Sequence, residues 1–240
     1  MKKKLFVCSD IHGFFDEMKA ALDKAGFDPN NENHWFIGVG DFIDRGGQPL
    51  EVVQYLMSLP RKVLIRGNHE DLFEDLVKHK YARSHDWHNG TMQTILDLAP
   101  NTMTAEAAFV EAYEKVQHFF ASMVNYFETE NYVFTHGYIP YNRHKNWRVA
   151  TEREWENARW ENGMELVNFG YDIEKCVVVG HIHASWGRAE FEGKPEFGDG
   201  ADFSPFYYKD KLIAIDGCTA HTGEVNVLVL EDEFIKEGAE

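Results

Sequence analysis

Aspartate and histidine recur in this sequence at short intervals, and they do so where apolar runs stop. Asp10-Ile11-His12 follows Leu5 to Cys8, and Gly40-Asp41-Phe42-Ile43-Asp44-Arg45-Gly46 follows Trp35 to Val39. Asn68 and His69 follow Val63-Leu64-Ile65 inside the turn Arg66-Gly67-Asn68-His69-Glu70. His136-Gly137 follows Tyr132 to Thr135, and Gly180-His181-Ile182-His183 follows Cys176 to Val179. Carboxylates and imidazoles of this kind bind divalent metals or move protons. Residues two apart in an extended segment share a face, so Asp10 with His12, and His181 with His183, would present their side chains together.

Each stretch alone has an ordinary reading. A lone Asp-x-His is usually a solvated turn, Gly-Asp pairs build turns, and a single histidine is as often structural as a ligand. The set is more specific. Ligands of open α/β sheets collect at the carboxyl ends of strands, and five such ends carry these residues here. Seven potential ligands at one sheet edge exceed the needs of one tetrahedral ion and suit two. In that reading Asp41 could bridge two ions, Asp44 would orient a neighbour, and Arg45 would grip a phosphate with its two-pronged guanidinium. His34, His79, His85, His88, His118, His144 and His221 lack the setting and read as surface or structural residues.

The elements that must position these residues follow from periodicity. Phe14 to Ala25 has Met18, Ala21, Leu22 and Ala25 at helical spacing. Gln48 to Leu59 is a second helix, with Pro49 suited to its first turn and Pro60 ending it. Residues 71–130 read as a mostly helical insertion without a clear strand, interrupted at 78–89. A further helix is expected over roughly Glu152 to Val167, and a long loop over Glu192 to Asp202. Asp202 to Tyr208 is aromatic and should pack on the domain without bearing ligands. Lys211 to Ile215 and Val225 to Leu230 are expected to pair as a closing hairpin. Strands alternating with helices indicate an α/β fold.

With 240 residues, 44% of them hydrophobic, the chain can bury one substantial core, and a single domain over 1–240 is expected. A net charge of −16 argues against nucleic acid or an anionic membrane as partner. Cys8, Cys176 and Cys218 are far apart and sit in or beside apolar runs, as in a reducing compartment. Lys2-Lys3-Lys4 precedes an apolar run too short for a signal sequence or membrane span, so a cytoplasmic location is the expectation. The sequence contains no phosphate-binding G-x-x-x-x-G-K-[ST] loop, no G-x-S-x-G elbow and no H-E-x-x-H.

Together the motifs resemble the calcineurin-like metallophosphoesterases, and within them the serine/threonine phosphatase-like phosphoprotein phosphatase branch of bacterial and phage type. Ser9-Asp10-Ile11-His12-Gly13, Gly40 to Gly46, Gly67 to Glu70, His136-Gly137 and Gly180-His181 stand in that family's order, and Trp87-x-Asn89-Gly90 is similar to a bacterial element. The resemblance implies a four-layer α/β/β/α sandwich of two mixed sheets, its cleft rimmed by the insertion and by residues 142–170. It implies two divalent ions, Mn²⁺ first, with Fe or Zn²⁺ as alternatives. Asp10 and His12 would hold the first ion, Asp41 would bridge, and Asn68, His136 and His181 would hold the second. His69 would be a general acid oriented by Asp44, and Arg45 would bind phosphate. Ser9 stands where the branch has glycine. His183 is absent from the branch but present in the wider superfamily, where it ligates the first ion. Arg159 is the candidate second phosphate-binding arginine. The implied activity is phosphoester hydrolysis by a metal-activated water, on a phosphoprotein. Dinucleoside tetraphosphates or small phosphoesters are the alternatives, and a non-catalytic binding protein is a remoter one.

Overall fold

The computed structural model describes residues 2–140, 146–168 and 173–234. Its strands are β1 (Lys3–Cys8), β2 (His34–Val39), β3 (Lys62–Ile65), β4 (Tyr126–Glu128), β5 (Tyr132–Thr135), β6 (Cys176–Val179), β7 (Phe206–Tyr208), β8 (Leu212–Ala214) and β9 (Leu228–Asp232). Its helices are α1 (Phe15–Ala25), α2 (Pro49–Ser58), α3 (Asn68–His79), α4 (Ser84–His88), α5 (Thr91–Leu98), α6 (Ala105–Ala121), α7 (Glu152–Ala158), α8 (Ala184–Glu192) and α9 (Thr219–Thr222). The strands form two mixed sheets in the orders β3-β2-β1-β9 and β4-β5-β6-β8-β7. The central pairs β1/β2, β2/β3, β5/β6 and β6/β8 are parallel, so five site-bearing turns leave strands running in parallel within each sheet.

Side-chain alternation along the strands builds the layers. Leu5, Val7, Ile37, Val39 and Ile65 point inward and meet Phe134, Val178 and Ile213 of the other sheet. Phe6, Cys8, Phe36 and Leu64 point the other way, against Met18 and Leu22 of α1, Val52 and Leu56 of α2, and Phe73, Ile95 and Phe119 of the insertion. On the far side Val133, Val177, Val179 and Leu212 pack on Trp155, Met164 and Ala184. The four-layer α/β/β/α sandwich expected from the sequence is therefore present. No helix of the described residues is long and apolar enough to cross a membrane.

Local signals account for the helix ends. Gly26 closes α1 in the left-handed conformation at φ 81°. Thr104 caps α6 by accepting from Ala107 N, and Thr151 forms a capping box with Glu154 at the start of α7.

Three expectations change. Lys211–Ile215 and Val225–Leu230 do not form a hairpin. Both edges of β8 are occupied, by β6 and β7, and β9 crosses to the other sheet to pair antiparallel with β1. The hairpin partner of β8 is β7, drawn from the aromatic stretch 202–208, where Phe206 is buried. The helix expected over 152–167 stops at Ala158. It resumes as a single tight 3₁₀ stretch at Gly163–Val167, with the Asn162 side chain accepting from Met164 N. The insertion is helical through Ala121, but β4 follows it, a three-residue strand too short to carry an alternation signal. Part of the rim segment, residues 141–145 and 169–172, lies outside the described residues, as does His144.

The sheets press together where β1 and β6 end. A Cβ on Gly180 would lie 1.8 Å from Ser9 Oγ and 2.5 Å from Asp10 Oδ2. Ser9 cannot step aside cheaply: it is buried, and Oγ lies within hydrogen-bonding reach of the Asp10 carboxylate and, at 3.0 Å, of Val39 O. Gly180→Ala should therefore cost about 1–3 kcal/mol through overpacking. Urea unfolding would read this as a lower midpoint, and an unchanged midpoint would contradict it.

Candidate metal centre

Side chains from the ends of both sheets meet in one buried centre, and they also stitch the sheets together. His136 Nδ1–H, after β5, donates to Val39 O at the end of β2, 2.8 Å away. Asp10 Oδ2, after β1, accepts from His181 N, after β6, at 3.0 Å. Gly40 has φ 83°, and a Cβ there would lie 2.4 Å from His136 Nδ1, so this turn requires glycine. The centre is locally strained. Asp10, His12, Asp41, Asp44, Arg45 and His181 all adopt the left-handed backbone, with φ between 50° and 71°. Such residues cost about 1–3 kcal/mol each and persist where surrounding contacts fix them.

Two clusters of ligand atoms form, each within 4.8 Å: His12 with Asp41 and His69, and Asp41 with His136 and His181. Asp41 is common to both. Asp10 lies alongside, its Oδ1 3.9 Å from His12 Nε2, and Asn68 Oδ1 is 2.9 Å from His136 Nε2. The far ring nitrogen of each histidine donates to a fixed acceptor, as in metal-binding histidines; the near one keeps its lone pair at His12 and His181, while that of His136 faces Asn68 Oδ1 and Asp41 Oδ1. His12 Nδ1–H donates to Ile43 O at 3.0 Å, His136 Nδ1–H to Val39 O, and His181 Nε2–H to Trp160 O at 3.2 Å. Imidazole, carboxylate and one amide oxygen form a donor set that fits Mn²⁺, Fe or Zn²⁺. These residues fit two divalent ions sharing Asp41.

The electrostatics agree. Burial, with the charges of His69 and Arg45, holds His12 well below the usual histidine range, and burial with His136 lowers His181 to about 4. Both rings are thus neutral, the form that can offer a lone pair to a metal ion. Burial opposes the charge on Asp41, yet His136, His69 and His12 keep it ionised well below the usual range. Burial also pulls His136 down, but the charge and hydrogen bond of Asp41, with the Asp10 charge, outweigh it and push His136 up to about 10. Burial raises Asp10 to about 6, with Asp41 adding to the rise and His136 opposing it.

His69 and Asp44 form a second unit beside Asp41. His69 Nδ1–H donates to Asp44 Oδ2 at 2.7 Å. Burial lowers the histidine's pKa, but Asp41 and Asp44 together overcome this and raise it, so the protonated ring is favoured. Asp44 is fully buried and fixed by two threonines of α5: Thr91 Oγ1 donates to Oδ2 at 2.7 Å and Thr94 Oγ1 to Oδ1 at 2.8 Å. Glu70 clamps the neighbouring turns, accepting from Gly67 N (2.9 Å), Asp41 N (3.1 Å) and Phe42 N (2.9 Å). Arg45 is exposed at the mouth, Nη1 2.6 Å from His12 Nε2 and Nη2 3.2 Å from His69 Nε2.

Two expected site residues sit elsewhere. His183 does not join either cluster: Nδ1 is 2.9 Å from Ser185 Oγ, Nε2 is 3.3 Å from Glu196, and the ring packs on Phe197 and Phe203. As the residue leading into α8 it turns away from the face that His181 occupies. Arg159 is buried in an ion-pair network with Asp71 and Glu152. Several residues of the centre were not singled out from sequence. Glu70 was quoted only as part of a motif, and Thr91 and Thr94 lie in the helical insertion. Asp216 is a buried carboxylate just after β8 whose pKa is raised well above normal by burial and by the Asp10 charge. Asp216 obeys the same strand-end rule as the other residues of the centre and could have been found by it.

A family model described as calcineurin-like phosphoesterase matches residues 3–185. The serine/threonine-protein phosphatase rdgC of Drosophila melanogaster is 38% identical over 97 residues, which cover 35% of this chain and 14% of that protein. The symmetrical bis(5'-nucleosyl)-tetraphosphatase of Hamiltonella defensa is 41% identical over 66 residues, covering 27% of this chain and 23% of that one. The chain therefore spans less than a quarter of the length of either curated relative. A cold-active protein-tyrosine phosphatase from a psychrophilic Shewanella superposes with a TM-score of 0.53 at 16% identity, covering 95% of this chain and 75% of that one, a likeness of fold.

The proton on His136 gives the centre a testable pH dependence. With a pKa of about 10 the ring is protonated at neutral pH, and an ion must displace that proton to reach Nε2. Metal affinity should rise with pH up to that value. Calorimetric titration of metal-free protein with Mn²⁺ at pH 7.5, in two buffers of unequal ionisation enthalpy, should show release of about one proton. Heats that do not depend on the buffer would contradict the assignment.

Proposed function

The chain belongs to the calcineurin-like phosphoesterase family, and from that membership we propose that it hydrolyses phosphoesters with two divalent ions, as a serine/threonine-type protein phosphatase. The observation that carries this reading is the buried carboxylate of Asp41, shared by two ligand clusters and flanked by the His69–Asp44 pair. Asp10, His12 and Asp41 would hold one ion, and Asp41, Asn68, His136 and His181 the other, with Mn²⁺ the first choice. When bound, such a pair of ions activates a water for in-line attack and neutralises developing charge on the phosphoryl group.

The chain's own residues supply the rest. Arg45 reaches His12 Nε2 and His69 Nε2 from the mouth. The lone pair of His12 cannot serve Arg45 and an ion together, so loading the centre frees the guanidinium to take two phosphoryl oxygens. With Asp44 holding Nδ1–H, His69 would carry its transferable proton on Nε2 once Arg45, whose Nη2 lies 3.2 Å away, turns to the phosphoryl group. From there it would protonate the leaving oxygen. Thr91 and Thr94 fix Asp44, and through it the plane of the ring. A cytoplasmic setting agrees with the free thiols of Cys8, Cys176 and Cys218.

The protein-phosphatase reading draws on the Gly40–Gly46 and Gly67–Glu70 motifs and on the likeness to rdgC. Hydrolysis of dinucleoside tetraphosphates is the second reading, favoured by the relatives named as bis(5'-nucleosyl)-tetraphosphatases. A turnover panel with Mn²⁺, using phosphopeptides, diadenosine tetraphosphate and p-nitrophenyl phosphate, separates the two. Fastest turnover on phosphopeptides supports the first reading and fastest turnover on the dinucleotide replaces it.

Asp41→Asn should reduce occupancy of both metal sites in elemental analysis, and full occupancy would remove the bridging role. His69→Asn should lower kcat on phosphopeptides by ~10²–10⁴-fold. The loss should shrink on p-nitrophenyl phosphate, whose leaving group needs little protonation, and both ions should stay bound. Because His69 lies within one ligand cluster, loss of an ion in this variant would make it a ligand instead of the acid.

A further inference from the structure

Arg159 carries a side chain committed away from any phosphate. It is 3% exposed, and Nη1 donates to Asp71 Oδ2 at 2.7 Å while Nη2 donates to Glu152 Oε1 at 2.6 Å and to Asn125. The other oxygen of Asp71 accepts from Arg66 Nε at 2.6 Å. Nε of Arg159 has no hydrogen-bond partner. Asp71 lies in the first turn of α3, the helix that begins with Asn68 and His69. Its carboxylate therefore couples the third strand-end turn to the end of α7.

The backbone around Arg159 reaches the other two ligand turns. Tyr138 N, just past His136, donates to Ala158 O at 2.8 Å. Gly137 is pressed so closely on this segment that a Cβ there would lie 2.6 Å from Ala158 O and 2.9 Å from Arg159 O. Trp160 O accepts the Nε2–H of His181 and so decides which nitrogen of that ring keeps its lone pair. Asn68, His136 and His181 thus all rest, through one or two residues, on the segment 158–160. The first-ion residues His12 and Asp10 make no direct contact of this kind with the segment. His12 is fixed by Ile43 O, and Asp10 by Ser9 and His181 N.

We propose that Arg159 is a positioning residue for the second ion's site, holding the turns of Asn68, His136 and His181 in mutual register through Asp71 and its own backbone neighbours. The inference rests on the two-ion reading above and deepens it. A planar guanidinium suits this role because its separate Nη atoms reach Asp71 and Glu152 at once, which the single ammonium of lysine cannot do.

The test is calorimetric titration of metal-free wild type, Arg159→Lys and Asp71→Asn with Mn²⁺, with circular dichroism to verify folding. Wild type should take up two ions. Both variants should bind the first ion with wild-type affinity and the second ~10–100-fold more weakly, the usual effect of losing a residue that orients metal ligands. At saturating Mn²⁺ the KM for p-nitrophenyl phosphate should return to the wild-type value. Unchanged affinity for both ions with a raised KM would make Arg159 a phosphate ligand and overturn the proposal. Parallel weakening of both ions would reduce it to a general structural residue and also overturn it. If Arg159→Lys does not fold, Asp71→Asn decides alone on the same outcomes, since it keeps the shape of the side chain. A wild type that binds fewer than two ions removes the two-ion reading, and this proposal with it.

Discussion

The negative charge of Asp41, buried between two sheets, is the constraint on which the rest of the centre depends. An ionised carboxylate out of water is costly unless it is paired and hydrogen-bonded. Asp41 is 2% exposed, accepts from His69 N, and has His136, His12 and His69 around it. Those partners come from strands β1, β3 and β5, so the charge can be satisfied only when three separate strand ends reach one point. The fold is built to deliver this. Parallel strands in each sheet send their following turns to the same edge, and the inter-sheet core of Leu5, Val7, Ile37, Phe134 and Val178 fixes the spacing between the edges. His136 then bonds across that gap to Val39 O. The residues that would hold ions are in this sense also the residues that close the sandwich.

That double duty explains the strain. Six site residues hold a left-handed backbone that only glycine adopts freely, and they sit in turns following β1, β2 and β6. In a relaxed extended turn the adjacent side chains of Asp44 and Arg45 would leave on opposite faces, and both residues instead take the left-handed backbone. Hydrogen bonds of the turns hold these kinks, among them Asp10 N to Gly40 O at 3.1 Å and His12 N to Asp41 O at 2.9 Å. Glu70 ties the second and third turns together by accepting three backbone N–H groups. Stability is spent locally to fix geometry, as is common at functional sites.

Much of this was legible in the sequence, because the strongest signals are local. An apolar run, then glycine, then Asp or His marks a strand end, and Asp10, Asp41, Asn68, His136 and His181 all lie where that rule placed them. Two kinds of feature were not legible. The first is pairing between distant segments. Lys211–Ile215 and Val225–Leu230 look like a hairpin because they are neighbours in sequence, while the choice of β1 as the partner of β9 depends on which sheet edge remains open. The second is direction after a turn. The His-x-His spacing of His181 and His183 implies a shared face only if the segment stays extended. A helix begins at Ala184 instead, and His183 leaves for Glu196 and Phe197. Thr91 and Thr94 belong to the same class. Their spacing puts them on one helical face, but nothing local says that the face meets Asp44. Asp216 was different, since it follows a strand like the others and only the mistaken hairpin hid it.

The charge of the whole chain bears on how a phosphate could enter. The net charge is −16, and the centre itself is crowded with carboxylates. Asp10, Asp41, Asp44, Glu70 and Asp216 are all buried there, and burial together with the Asp41 charge raises Glu70 to about 7. Burial raises Asp10, Glu70 and Asp216 alike, and the charge of neighbouring carboxylates adds to each rise. Among the described residues Arg45 is the arginine whose guanidinium reaches the histidines of the centre, lying against His12 and His69. Two divalent ions held by these residues would reverse the local sign, and an ion on His12 Nε2 would compete with Arg45 for that lone pair. In the proposed reading the ions would then serve substrate binding as well as chemistry, with attraction confined to the surroundings of Asp41 and the charge of the rest of the surface screened by physiological salt over ~8 Å.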